Sequence, residues 1–213
     1  TKKTPVVIGP IQGTLIYADA QKLWLLTFFY PVLKFLSRKT LSAANKIIAV
    51  NKYAKRLLVQ SGVSPKKIII IPPGIDTNRF QVAKKFHGPL KIVTVGHLIK
   101  RKAVDLILRA IAEAKNPKLS LTIIGDGPER QSLESLTKKL GLEGLVEFMG
   151  AIPYSQVAPY YQRANLFVSM SRAESFGQVY LEAMASGLPV ITTINSGSVD
   201  IIDDGKDGYL IGK

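Results

Sequence analysis

Two carboxylates, Glu174 and Glu182, bracket the run Glu174-Ser-Phe-Gly-Gln-Val-Tyr-Leu-Glu182, with seven residues between them. A carboxylate accepts hydrogen bonds from sugar hydroxyls. The stretch between the two predicts the start of a helix, whose unpaired N–H groups and dipole favour a phosphate. The apolar run Leu166-Phe-Val-Ser-Met170 precedes the pair, and Gly187-Leu-Pro-Val-Ile-Thr-Thr193 follows it. Strand, polar loop, helix, strand is how an α/β sheet places a ligand at the C-terminal ends of its strands. Glu174 is expected in the loop and Glu182 about two turns into a helix over 176–186. Together these parts suit a nucleotide-sugar, which carries a diphosphate beside hydroxyls.

Two further runs could hold phosphate. Gly125-Asp-Gly-Pro-Glu-Arg130 follows a strand-like run and opens a helix-like one, with Pro128 suited to a first turn. It resembles a dinucleotide fingerprint whose third glycine position holds Arg130; an ordinary tight turn fits it equally. Gly96-His-Leu-Ile-Lys-Arg-Lys102 also follows a strand and ends in three cations, which could neutralise a leaving diphosphate or lie in solvent. No Asp-x-Asp pair occurs, and Asp203, Asp204 and Asp207 read as turn formers. A magnesium site draws on clustered carboxylates, so metal-independent chemistry with no cofactor is expected. The two histidines, His87 and His97, argue against a histidine metal site or triad.

The elements needed to position these residues alternate along the chain. Strands are predicted at 6–8, 46–50 and 67–71, with helices over 21–39, kinked at Pro31, and 52–61. A second series has strands at 90–95, 119–124, 146–148, 166–169, 189–193 and 209–211. Helices over 103–114, 128–140, 156–163 and 176–186, and a short one near 198–202, lie between them. Strands alternating with helices predict βαβ units and parallel sheets. The run Ile68-Ile-Ile-Ile71 predicts a strand buried on both faces. The expected organisation is the C-terminal portion of one Rossmann-like unit over 1–80, a linker over 81–89, and a second unit over 90–213 lacking its closing helix. The first residue is Thr1, not methionine, which predicts a fragment.

Charge divides the chain at the same place. Residues 1–90 hold 15 Lys and Arg against 2 Asp and Glu, and residues 91–213 hold 14 against 13. A basic first unit suggests an anionic partner or a solvated lysine surface. No recognisable nucleic-acid module accompanies it, so nucleic acid is not expected. Leu23, Trp24, Leu26, Phe28, Phe29, Leu33 and Phe35, bordered by Lys22, Lys34, Arg38 and Lys39, form an apolar stretch with cationic edges. Residues 22–39 could lie on an anionic membrane surface or cover the sheet as a core helix. The stretch is too short to span a bilayer. The lack of cysteine and of a signal-peptide pattern predicts a cytoplasmic protein, with the inner membrane face as its alternative station.

In order and spacing these runs resemble glycosyltransferase family 4, retaining enzymes of the GT-B, double-Rossmann type. Pro72-Pro-Gly-Ile-Asp76 is similar to the family's Pro-Asn-Gly-Val-Asp run. Gly96 to Lys102 is similar to its Gly-Arg-Leu loop with a following Lys-Gly. Ile124 to Arg130, Val146-Glu-Phe-Met-Gly150 and the Glu174 to Glu182 signature, continued by Ala183-Met-Ala-Ser-Gly-Leu-Pro-Val190, complete the likeness. The resemblance implies sugar transfer from a UDP- or GDP-linked donor to a glycan or lipid acceptor. It implies Glu174 and Lys102 as the catalytic pair, with Glu174 on the sugar hydroxyls and Lys102 on the diphosphate. Glu182 would take the ribose diol. Backbone N–H groups of Ser175, Phe176 and Gly177 would hold phosphate, Gly96, His97, Gly125, Asp126 and Gly127 would line the donor, and Ala151 and Ile152 would frame the base. The chain departs from the family at His97 for arginine, Ala103 for glycine and Pro73 for asparagine. Gly9-Pro-Ile-Gln12 stands where many members carry a histidine. Two other classes remain open: a non-catalytic nucleotide-sugar binder, and a nicotinamide-dependent dehydrogenase suggested by Gly125 to Gly127.

Overall fold

The computed structural model describes residues 5–11, 40–41, 43–82 and 88–212. The chain divides into two compact units, Thr1–Pro73 and Gly74–Lys213. In the first, strands β1 (Val7–Ile11), β2 (Lys46–Ala49) and β3 (Ile68–Ile70) form a parallel sheet in that order. Helix α1 (Lys52–Gln60) joins β2 to β3 and is capped by Asn51, whose Oδ1 accepts from Ala54 N–H at 2.8 Å. Ile68 is buried, but Ile69 is 42% and Ile71 49% exposed. The expectation of a strand buried on both faces is therefore corrected: β3 ends the three-stranded sheet, and among the described residues only one of its faces is covered. The helix expected over 21–39 and His87 lie outside the described residues.

The second unit is a six-stranded, wholly parallel sheet ordered β6-β5-β4-β7-β8-β9. Its strands are β4 (Lys91–Val95), β5 (Ser120–Ile124), β6 (Val146–Gly150), β7 (Leu166–Ser169), β8 (Val190–Thr193) and β9 (Gly208–Ile211). Adjacent strand residues face opposite layers. Ile92, Leu121, Ile123 and Val168 pack with helices α2 (Val104–Ala114) and α3 (Arg130–Lys139). Val93, Ile124, Phe167 and Val190 pack with α4 (Ala158–Arg163) and α5 (Gln178–Ala185). Helix α2 buries Val104, Ile107, Leu108 and Ile111, the spacing of one helical face. Each such side chain contributes about 1.5–3 kcal/mol by leaving water.

The boundary was expected at 80/81, yet residues 74–80 pack with the second unit. Phe80, 1% exposed, lies in its core against Tyr161 and Tyr154 at centroid distances of 5.7 and 5.8 Å. A polar-looking stretch thus carries one aromatic anchor, and the anchor decides where the segment docks.

Candidate functional site

In the six-stranded sheet the order reverses between β4 and β7, and a doubly wound sheet opens its ligand crevice beside the C-terminal ends of such a pair. The loop after β4 and the loop after β7 meet here. Lys102 Nζ pairs with Glu174 Oε2, and both side chains are 16% exposed. The Arg101 guanidinium donates to Ala173 O, and Arg101 O accepts from Arg172 N–H at 2.8 Å. Arg101 is therefore spent on joining the two loops. Of the three cations singled out in the sequence, Lys102 is the one aimed into the crevice, while Lys100 is exposed.

The 3-10 turn Lys100–Lys102 ends at Ala103, which is buried with φ 48° and ψ 44°. Alanine accepts about 1 kcal/mol of strain in this left-handed conformation, which glycine adopts freely. The turn is held all the same, because Lys102 N–H donates to Ile99 O at 2.8 Å and its side chain is fixed by Glu174.

Gly96 closes β4 with its N–H on Ile124 O at 2.9 Å, and Gly125 N–H donates to Gly150 O at 2.8 Å. A Cβ on Gly125, where φ is +130°, would stand 2.0 Å from Gly96 O. Three strand ends are thus drawn together by the absence of one side chain. Asp126 is exposed, and the Gly127 N–H at 2.7 Å holds its carboxyl below the usual carboxylate range. Arg130 bonds Asp126 and Glu134 at 3.1 and 2.8 Å, which places it on the rim and not on a third-glycine phosphate turn. His97 and Ala151 are exposed on the same rim, and Ile152 packs against the core beneath.

Helix α5 begins at Gln178, two residues later than expected, so Glu182 stands little more than one turn inside it. The delay comes from Gly177, the N-cap, at φ 83°. A Cβ there would meet the Tyr180 ring at 2.3 Å, so the tight entry requires glycine. Ser175 N–H donates to Glu174 Oε1 at 3.2 Å and so helps hold that carboxylate. Phe176 and Gly177 present their N–H groups at the helix start, where no intrahelical acceptor exists.

Glu182 is 5% exposed, and its Oε2 accepts from the Tyr161 hydroxyl at 2.9 Å. Burial holds its carboxyl above the ordinary glutamate range, opposed by the Tyr161 and Tyr154 hydroxyls. The folded protein therefore keeps this proton at pH values where the unfolded chain has lost it. The stability contributed by Glu182 falls as pH rises from its ordinary value of 4.5 through the raised one. In urea denaturation at stepped pH, Glu182→Gln is expected to lose less stability than wild type across that interval. Parallel profiles would contradict the assignment.

Sequence reasoning missed the residues that buttress this loop. Asn195 Oδ1 accepts from Gly197 and Ser198 N–H at 3.0 and 2.9 Å, and its amide donates to Thr193 O at 3.1 Å. Ser196 Oγ donates to Glu174 O at 2.6 Å, and Thr192 Oγ1 donates to the Tyr180 hydroxyl at 3.1 Å. The polar cluster Asn195-Ser-Gly-Ser198 directly after an apolar strand was the available signal. Tyr161 gave none, since a tyrosine on an amphipathic helix reads as core.

A cavity of about 500 Å³ lies elsewhere, along the N-terminal ends of β4, β5 and β6 beside α4. None of the expected site residues lines it. The strand-end site is the chemically equipped one, marked by its ion pair, buried carboxylate and helix start. Among the described residues no three His, Asp or Glu converge as a metal site would require, and no helix is long and apolar enough to cross a membrane.

Comparison with known proteins agrees with this architecture. Residues 75–213 match the family described as Glycosyl transferases group 1, and residues 17–79 match Glycosyltransferase Family 4. A phosphatidylinositol N-acetylglucosaminyltransferase component of Arabidopsis thaliana is 31% identical over 78% of this chain, which spans 38% of that protein. A GDP-mannose-dependent phosphatidylinositol monomannoside mannosyltransferase of Mycolicibacterium smegmatis is 26% identical over 85% of the chain, which spans 52% of it. The pneumococcal O-GlcNAc transferase GtfA, solved with UDP and GlcNAc, superposes with a TM-score of 0.71 at 26% identity, over 84% of this chain and 36% of its own. The chain thus spans about half or less of these relatives. With residues 75–213 matched to it, the protein belongs to the group 1 glycosyl transferases of family 4, and its fold is of the GT-B type.

Proposed function

We propose that this chain carries the donor site of a retaining, metal-independent glycosyltransferase that moves a hexosyl group from a nucleotide-diphosphate-sugar to a glycan or lipid-linked acceptor. The observation that carries this reading is the Lys102–Glu174 pair across the β4/β7 switch point. An ammonium has three donors, so Lys102 can keep Glu174 and still reach a diphosphate. Glu174 takes the hydroxyls of the donor sugar, and the N–H groups of Phe176 and Gly177 take phosphate. Gly96 leaves the backbone beside Lys102 open to close approach, while Gly125 and Gly127 let the loops after β4 and β5 pack on one another to shape the donor rim. His97 and Asp126 line the rim, Ala151 and Ile152 border the base, and Glu182 accepts from the ribose diol.

On this reading the bond from the anomeric carbon to the diphosphate breaks while the acceptor oxygen bonds to the same face. The acceptor's proton passes to the departing phosphate, and Lys102 neutralises the charge that develops. The lack of any Asp-x-Asp pair supports chemistry without a metal ion. The test is nucleoside diphosphate release from UDP- and GDP-hexoses, with the product anomer read by NMR. Retained configuration, insensitivity to chelator, and a loss of about 10²- to 10³-fold in kcat/KM for Lys102→Ala are expected. An inverted product or a chelator-sensitive rate would overturn the mechanism.

The two phosphatidylinositol-named relatives support a lipid-linked acceptor. So does the charge of residues 40–73, which carry six Lys and Arg and no Asp or Glu. Vesicles containing anionic lipid are expected to float the protein at low salt and release it at about 0.5 M salt, while neutral vesicles leave it behind. Equal flotation with both would contradict an electrostatic contact.

A further inference from the structure

Glu182 is held by a side chain that no motif marks. Tyr161 is fully buried, and its ring is fixed by Phe80 on one side, edge-on at 5.7 Å, and Phe167 on the other at 5.8 Å. Phe167 in turn meets Tyr180 at 6.2 Å, and Phe80 meets Tyr154, whose ring carries the Arg79 guanidinium at 5.1 Å. This aromatic row leaves Tyr161 little rotational freedom. Its hydroxyl points at Glu182 Oε2 and donates to it at 2.9 Å.

We propose that Tyr161 is a positioning residue for nucleotide binding: its hydroxyl selects the ionised form of Glu182 and fixes one carboxylate oxygen, so that the other faces the ribose diol. The proposal rests on the donor-site reading above, in which Glu182 accepts from the diol. A phenol is a donor to a carboxylate, and such charge-assisted bonds are among the stronger ones. A protonated Glu182 would offer one acceptor fewer to a diol that needs two. Among the described residues, the ionisable groups acting on Glu182 are Tyr161 from α4 and Tyr154 from the 3-10 turn Tyr154–Gln156, and no cation is among them. Burial alone drives the carboxyl toward neutrality, and the two hydroxyls oppose it. Burial also keeps the Tyr161 phenol well above its ordinary range, so it remains a donor.

Tyr161→Phe preserves the ring and removes the donor. In the full chain, the Glu182 carboxyl carbon is followed by NMR through a pH titration in wild type and Tyr161→Phe, and UDP and GDP binding is measured by calorimetry over the same range. The expected result is a higher Glu182 midpoint in Tyr161→Phe. Nucleotide affinity should then be about tenfold lower than wild type at the acid end, with the gap narrowing as pH rises. An unchanged midpoint, or an affinity loss of the same factor at every pH, would overturn the proposal. Glu182→Gln separates the two claims. If it binds nucleotide as wild type does, the donor-site reading fails and the role of Tyr161 fails with it. If it loses binding while Tyr161→Phe leaves the midpoint in place, only the present proposal fails.

Discussion

Glu182→Ala is expected to lower nucleoside diphosphate affinity by at least about 100-fold, roughly 3 kcal/mol, the scale of charge-assisted hydrogen bonds to two hydroxyls. The fold should survive. The substitution leaves the buried Tyr161 hydroxyl without its acceptor, a cost of about 1–3 kcal/mol. It also removes a carboxyl that burial already disfavours in its charged form. The two effects oppose one another, so the unfolding transition moves little while binding is lost. Glu182→Gln, which keeps an acceptor for Tyr161, is the control for stability. Calorimetry decides: wild-type affinity in Glu182→Ala would remove Glu182 from the site.

The second large effect is structural. Gly125→Ala is expected to cost about 3 kcal/mol or more and to abolish nucleotide binding together with stability. Its backbone sits at φ +130°, and the added Cβ would meet the carbonyl of Gly96 at 2.0 Å, a contact between main chains that no rotamer can relieve. Relief requires β4 and β5 to part at their C-terminal ends. That would loosen the Gly96 to Ile124 and Leu98 to Asp126 hydrogen bonds, both 2.9 Å, which shape the loop carrying Lys102. Urea denaturation with a nucleotide titration would show the linked losses. A variant as stable as wild type would mean that the strand ends are not drawn together as described.

Much of this was legible before the structure. Parallel strands with apolar cores and helices of regular spacing announced themselves at 90–95, 103–114 and 166–169, because burial on defined faces writes a period into the sequence. The Glu174 to Glu182 run and the glycines after β4 and β5 were legible because chemistry and close backbone approach each restrict residue type. Three features were not. Phe80 docks a polar segment through one side chain, which leaves no period. The likeness to family 4 marked Lys102, but nothing in the sequence showed that Arg101 joins the two loops through the carbonyl of Ala173. Tyr161 acts through a partner 21 positions away, a pairing that a single sequence does not encode.

The donor site is the centre of this account, and a thermal-shift titration with UDP, GDP, ADP and NAD tests it most directly. A ligand that binds only the folded chain must raise its stability, by about 2.7 kcal/mol at a hundred times its Kd. The account predicts that one nucleoside diphosphate raises the transition of the wild-type chain and not that of Glu182→Ala, and that NAD raises neither. Stabilisation by NAD, or an equal shift in the variant, would contradict it.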